Sequence, residues 1–281
     1  MKGAVLCGPD DVRLEERDAP TIVEPTDAII RLSATCVCGS DLWDYRGINP
    51  VTQPKPMDHE YCGIVEEVGG AVTRVEPGQF VIGSFFASDN ACPNCRAGYQ
   101  TSCVHREFVG DGAVGLLGVL SAKQMGAERI IAMSRHESRQ QLAREFGATD
   151  IVTERGDEGV ARIKELTGGI GADSVLECVG TQESMQQAGR STRPGGSVGF
   201  VGVPHGVEIS GERLFYAHIH LHGGPAPVRR FLPELIDLVC NGTINPGRVF
   251  DLVLPLEQLA EGYRAMDERR AIKSLLRVGA D

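Results

Sequence analysis

A chain of 281 residues can bury a large core and divides naturally into two modest domains. Its apolar content of 42% and charged content of 23% are ordinary for a globular protein, and a net charge of −10 excludes the basic surface that nucleic acid or an anionic membrane rewards. No apolar run is long enough to span a bilayer, and nine cysteines behind a start (Met1 to Asp10) too weakly apolar for a signal peptide predict a reducing compartment, the cytoplasm.

Residues 1–88 read as all-β. Short β-branched runs at 28–32, 63–68 and 79–82 alternate with turn residues such as Gly8-Pro9-Asp10 and Pro77-Gly78. Within this region Cys36-Val37-Cys38-Gly39-Ser40-Asp41 is followed by Asp58-His59-Glu60. A thiolate and an imidazole from separate loops are the usual holders of a borderline-soft zinc ion. Asp41 can accept from the distal nitrogen of His59, and Ser40 then sits where an alcohol hands over its proton. Taken alone, one cysteine and one histidine favour the plainer reading of a buried free cysteine and a hydrogen-bonded loop histidine.

Next come Asp89, Cys92, Cys95 and Cys103 in a Gly/Pro-rich loop. A C-x2-C core with a third thiol predicts a structural zinc lobe, which wants four ligands. Asp89 is the first candidate for the fourth and His105 the second.

From Gly110 the texture changes to helix and strand in alternation. Helices are predicted at 113–125, 137–146, 157–167 and 182–191, and strands at 129–133, 151–152, 174–178 and 197–201. That order specifies a parallel, doubly wound sheet. Gly110-Asp111-Gly112-Ala113-Val114-Gly115 opens the first of these helices, as a dinucleotide-binding turn does, with the pyrophosphate at the helix N-terminus. After the second strand an acid would hold a ribose hydroxyl. This chain has Ser134, Arg135 and, a turn later, Arg139, which favour a 2′-phosphate and hence NADP over NAD.

Cys178-Val179-Gly180 and Gly202-Val203-Pro204 end strands on the side where such sheets bind ligands. His218, His220 and His222 alternate along one segment, which reads as a strand edge rather than a metal site. The tail from Pro227 predicts a helix at 229–240, a strand at 249–254, a helix at 256–266 and a last strand at 273–278. That pattern suits a chain returning to complete the first domain.

With Cys38-Gly39-Ser40-Asp41, Asp58-His59-Glu60, the cysteine lobe, the glycine turn and Gly202-Val203-Pro204 in this order, the chain resembles the zinc-dependent medium-chain alcohol dehydrogenases. The resemblance implies an α/β chain with a GroES-like β-rich catalytic domain at 1–108, a Rossmann domain at 109–225 and a returning segment at 226–281. It implies Cys38 and His59 as catalytic zinc ligands, Glu60 as the adjacent carboxylate that swings toward the metal, and Ser40 as the start of a proton relay. Backbone around Ala113, Val114 and Val203 would hold the cofactor, and Lys273 would meet the pyrophosphate. The implied reaction is hydride transfer between an alcohol, or its aldehyde or ketone, and a nicotinamide cofactor in a homo-oligomeric protein.

Four departures stand against the family pattern. Asp58 stands where the family has Gly. Trp43 replaces a relay histidine and, with Tyr45 and Arg46, is expected to line the substrate pocket. Asp89 replaces the first lobe cysteine. The largest departure is at Val104-His105-Arg106-Glu107-Phe108-Val109, where the family has a longer segment carrying a third zinc ligand and the strand that leads into the glycine turn. His105-Arg106-Glu107 cannot form a buried strand, since such a strand is a near-continuous apolar run and each unpaired buried charge costs several kcal/mol. Only Phe108-Val109 is apolar enough to extend into the sheet. Glu60 is the nearest replacement for the third ligand, before Cys36 or Cys62. A shortened, non-catalytic member that binds nucleotide or zinc is the alternative; the Cys38/His59 pair speaks against a zinc-free quinone reductase.

Overall fold

The computed structural model describes residues 1–57, 59–104, 107–108 and 114–279. It divides into two compact units, 1–113 with 227–236 and 247–281, and 114–226 with 237–246.

The first unit begins with β1 (Lys2–Gly8), β2 (Asp11–Glu16), β3 (Ala28–Cys36), β4 (Lys55–Pro56), β5 (Tyr61–Val68), β6 (Phe80–Ile82), β7 (Phe86–Ala87) and β8 (Glu107–Phe108). The second holds β9 (Ile131–Met133), β10 (Asp150–Val152), β11 (Ala172–Glu177), β12 (Thr192–Phe200) and β13 (His220–Gly223), and the chain ends in the first with β14 (Leu252–Pro255) and β15 (Ser274–Arg277).

In the first unit the main sheet runs β14-β15-β3-β5-β6. The tail closes it by setting Leu275, Leu276 and Arg277 antiparallel to Cys36, Thr35 and Ala34. The core beside this sheet gathers Leu6, Val37, Leu42, Tyr45, Leu259, Tyr263 and Leu276. The short helix Asp41–Tyr45 turns Leu42 and Tyr45 inward together, as residues three apart on a helix share a face. Tyr45 packs on Tyr263 at 5.4 Å between ring centroids. Tyr45 is thus a core residue and not part of a substrate lining, and Arg46 pairs with Asp267 at 2.5 Å.

The second unit is built of parallel pairs. β9 pairs with β10, and β11, β12 and β13 form a separate three-stranded sheet. Among the described residues no strand joins β9 to β11, where a doubly wound sheet has its central strand. Phe108, expected to extend into that sheet, instead pairs with Phe86 in the first unit. The helices lie near their expected places, at Val114–Gln124, Glu137–Glu145, Gly156–Leu166 and Gln182–Ser191. Val114–Gln124 packs on β11 through its glycines: a Cβ on Gly118 would lie 3.2 Å from Leu176 Cδ1, and one on Gly115 3.8 Å from Cys178 Cβ. No helix among the described residues is long and apolar enough to cross a membrane.

Candidate active site and metal centres

The first cluster forms where β3 ends and where the chain enters β5. Ligand atoms of Cys38, His59 and Glu60 all lie within 4.8 Å of one another. Cys38 is fully buried and His59 is 6% exposed. Asp41 organises both. One of its oxygens accepts from the Cys38 N–H at 2.9 Å, and the other lies 3.4 Å from His59 Nδ1. An imidazole engaged at Nδ1 presents Nε2 to the cluster, the usual device for orienting a metal-binding histidine. Burial pushes the Asp41 carboxyl up to about 6, against the pull of His59. Ser40 Oγ is 2.8 Å from Cys38 Sγ, and the Ser40 N–H donates to the same sulfur at 3.2 Å.

Glu60 has two further neighbours. Its Oε2 accepts from Lys273 Nζ at 2.6 Å and from Cys36 Sγ at 2.7 Å. Lys273, expected at a pyrophosphate, is 3% exposed and also donates to Val37 O at 3.2 Å. Burial pulls the Lys273 pKa down, but the facing Glu60 charge and the cysteines outweigh it and raise it. Burial raises the Cys36 and Cys38 thiols well above their ordinary value. Sequence reasoning missed this Lys273–Glu60–Cys36 contact, because nothing in the linear pattern links a lysine near the end of the chain to a carboxylate and a thiol in its first quarter.

The second cluster is the lobe. Asp89, Cys92, Cys95 and Cys103 also present ligand atoms within 4.8 Å of one another, and the three cysteines are buried. Asp89 has a local duty as well: its Oδ1 accepts from the N–H groups of Ala91 and Cys92 at 2.8 and 3.1 Å, shaping the turn into the helix Pro93–Arg96. Backbone N–H groups of Cys95 and Val104 pull the Cys92 thiol down to about 7. Both clusters fit zinc by chemistry: the first offers sulfur, nitrogen and oxygen, and the second three sulfurs and a carboxylate. His105, the other candidate for the lobe, and Asp58 lie outside the described residues. His218, His220 and His222 form no metal-ligand group among the described residues, and His220 and His222 lie in edge strand β13.

Of the candidate cofactor residues, Gly110, Gly112 and Ala113 lie outside the described residues, while Val114 and Gly115 begin the helix Val114–Gln124. At the end of β9 the Arg135 guanidinium donates to Thr153 O at 3.4 Å, and so does Arg155, which precedes the helix Gly156–Leu166. Burial, and then the neighbouring Arg135 charge, draw the Arg155 guanidinium below its ordinary value. Arg155 was not anticipated, although a basic residue opening the next β-α loop is a signal the sequence carries. Ser134 Oγ accepts from the His136 N–H at 3.3 Å, and Ser134 O accepts from Gln140 at 2.9 Å. Arg139 lies half-buried one turn into the following helix.

The loops after β11 and β12 meet backbone to backbone. A Cβ on Gly180 would fall 2.1 Å from Val203 O, and one on Gly202 2.4 Å from Gly180 N. Gly180 also has φ +84°, which favours glycine. Glu177, another residue the sequence reading passed over, fixes the first loop. Its carboxylate accepts from the N–H groups of Val179 and Gly180 at 2.8 and 2.9 Å and from Ser184 Oγ at 2.7 Å. Val179 and Val203 are left exposed at the carboxyl ends of the strands, where open parallel sheets take their ligands.

Comparison with known proteins bears on both units. Residues 24–132 match a family model described as alcohol dehydrogenase GroES-like domain, and 113–240 one described as zinc-binding dehydrogenase. The chain is 26% identical to zinc-type alcohol dehydrogenase B of Aspergillus flavus over 349 aligned positions, covering 99% of this chain and 82% of that one. It is 29% identical to a probable zinc-binding alcohol dehydrogenase of Mycobacterium tuberculosis over 329 positions, covering 94% and 84%. Both alignments are longer than the chain's 281 residues, so gaps fall within it. The fold is similar to that of alcohol dehydrogenase TADH from Thermus sp. ATN1, with a TM-score of 0.89 at 25% identity, covering 99% and 100%.

Proposed function

The chain belongs to the zinc-dependent medium-chain alcohol dehydrogenase family, and from that premise we propose that it transfers a hydride between an alcohol, or its aldehyde or ketone, and a nicotinamide cofactor, with NADP preferred. The observation that carries the reading is the convergence of the Cys38 thiol, the His59 imidazole and the Glu60 carboxylate within 4.8 Å, with the Ser40 hydroxyl on the same sulfur. Cys38, His59 and Glu60 would hold a zinc ion, which would supply polarisation of an alcohol or carbonyl oxygen for hydride exchange with a bound nicotinamide cofactor. The half-exposed Ser40 hydroxyl would accept the alcohol proton while passing its own hydroxyl proton on toward solvent, and both transfers would reverse in the carbonyl-reducing direction. Asp41 orients His59 and holds the Cys38 backbone, so the donors keep their places through the reaction. Asp89, Cys92, Cys95 and Cys103 would hold a second zinc in a structural role.

For the cofactor, Gly110, Gly112, Ala113, Val114 and Gly115 would carry the pyrophosphate at a helix N-terminus. Val179, Gly202 and Val203 would border the nicotinamide half. Arg135 and Arg155, both donating to Thr153 O, favour a dianionic 2′-phosphate beside them, with Ser134 and Arg139 completing that corner. Lys273, turned to Glu60, serves the zinc side. A homo-oligomer remains part of the proposal.

The test is the metal content of the purified chain together with alcohol-dependent reduction of NADP and of NAD. Zinc in both clusters with faster turnover on NADP supports the reading. A clear preference for NAD sinks the cofactor choice. Cofactor binding with no turnover would instead support a shortened, non-catalytic member.

A further inference from the structure

Glu60 is a poor third ligand for the Cys38–His59 centre, because its carboxylate already has a cation. Lys273 Nζ lies 2.6 Å from Oε2 with 4% of the lysine side chain exposed. A metal drawing Glu60 away would leave that ammonium buried without its carboxylate, a strongly unfavourable loss. The same oxygen touches a third group: Cys36 Sγ at 2.7 Å. Cys36 is 6% exposed, ends β3 and stands two residues before Cys38, which lies just past the end of that strand. Thr35 Oγ1 and the Cys36 N–H both donate to Glu60 O, at 2.9 and 3.3 Å, so the backbones carrying the thiol and the carboxylate are tied together.

We propose that Cys36 is a ligand of the metal at the Cys38–His59 centre, which then sees two thiolates and one imidazole while Glu60 stays with Lys273. The proposal rests on the zinc-dependent reading above and changes its third ligand. Cys36 lies outside the set of atoms within 4.8 Å of one another, and a change of χ1 well moves its sulfur off Glu60 without moving the strand. On binding, Cys36 and Cys38 each release an S–H proton to solvent, and a lone pair of each thiolate goes to the metal. Two thiolates and an imidazole with one open position form a catalytic zinc set, and it is built here from residues on the near side of the shortened junction. Cys36 thereby takes the place of a ligand that the family supplies from the segment this chain lacks.

The experiment replaces zinc by cobalt(II) in the full chain and reads the sulfur-to-cobalt charge-transfer absorption, whose intensity rises with the number of thiolates bound. Wild type has five expected thiolates, namely Cys36, Cys38, Cys92, Cys95 and Cys103. Cys36→Ser and Cys38→Ser are each expected to lower the band by about one-fifth. A band lowered by Cys38→Ser and untouched by Cys36→Ser overturns the proposal and leaves the zinc reading standing. A band untouched by either variant overturns both. Cys36→Ala, a small apolar residue at a buried position, provides a second variant should the serine fail to fold, and is expected to lower the band equally; an unchanged band in Cys36→Ala is again a refutation.

Discussion

Lys273 Nζ lies 2.6 Å from Glu60 Oε2, although the two residues come from opposite ends of the chain. β15 brings the lysine in by pairing with β3, and the hydrogen bonds of Thr35 and Cys36 to Glu60 O fix the other side. Removing one partner of such a pair strands the other. Lys273→Met is therefore expected to destabilise the first unit by about 3 kcal/mol, the low end for buried pairs because a quarter of the Glu60 side chain is exposed. Urea unfolding checks this. The double variant Lys273→Met/Glu60→Gln recovers most of the loss, and a single variant as stable as wild type contradicts the account.

The lobe makes its own prediction. Asp89 is both turn former and candidate ligand, so Asp89→Ala is expected to weaken metal retention in the lobe and to loosen the loop, while Asp89→Cys restores retention. Zinc transfer to a colorimetric chelator measures the difference. Chelation of wild type lowers the thermal midpoint, because metal binding free energy is folding free energy.

Arg135→Ala and Arg155→Ala are each expected to weaken NADP and leave NAD nearly unchanged. A hydrogen bond to a charged group contributes about 1.5–3 kcal/mol, so NADP affinity falls about tenfold or more. Equilibrium binding of both cofactors reads this directly. Equal losses for NADP and NAD would point to a general loosening of the loop.

Gly180→Ala sets a Cβ 2.1 Å from Val203 O at a φ of +84°. Both faults act in the folded state, and a loss of about 1–3 kcal/mol is expected from the backbone alone. Calorimetry measures it, and a neutral result would mean that the two loops part easily.

The pH dependence at the alkaline end has a definite sign. Burial, and then Glu177, push the Cys178 thiol up to about 11 from an ordinary value of 9.0. The folded chain thus holds this proton where the unfolded chain has lost it. Its contribution is fully present below pH 9.0 and is lost as pH rises toward 11, at up to about 1.4 kcal/mol per pH unit. Cys178→Ala flattens that slope, as denaturant melts at pH 8 and pH 10.5 would record.

Much of the molecule is legible along the chain. The helix Gln182–Ser191 falls where its pattern sets it, with Thr181 capping the Ser184 N–H, and short-range rules suffice for such an element. Asp41 beside His59 is also legible, because both flank short motifs with recognisable chemistry. Tyr45 is not: a polar-tipped aromatic beside Trp43 reads as pocket lining, and only its packing on Tyr263 shows it to be core. Phe108 fails for a similar reason, since its pairing with Phe86 is a non-local choice.

By itself the sequence pointed to the family, to the two candidate ligand clusters and to the β-α order, because residue type and spacing carry that chemistry locally. Only the tertiary structure decided what surrounds Glu60, what Arg155 stands beside, and which strand Phe108 pairs with. These depend on closing long loops and on where buried charges find partners. Such contacts are selected by the free energy of the whole fold and leave no mark in the spacing of the residues that make them.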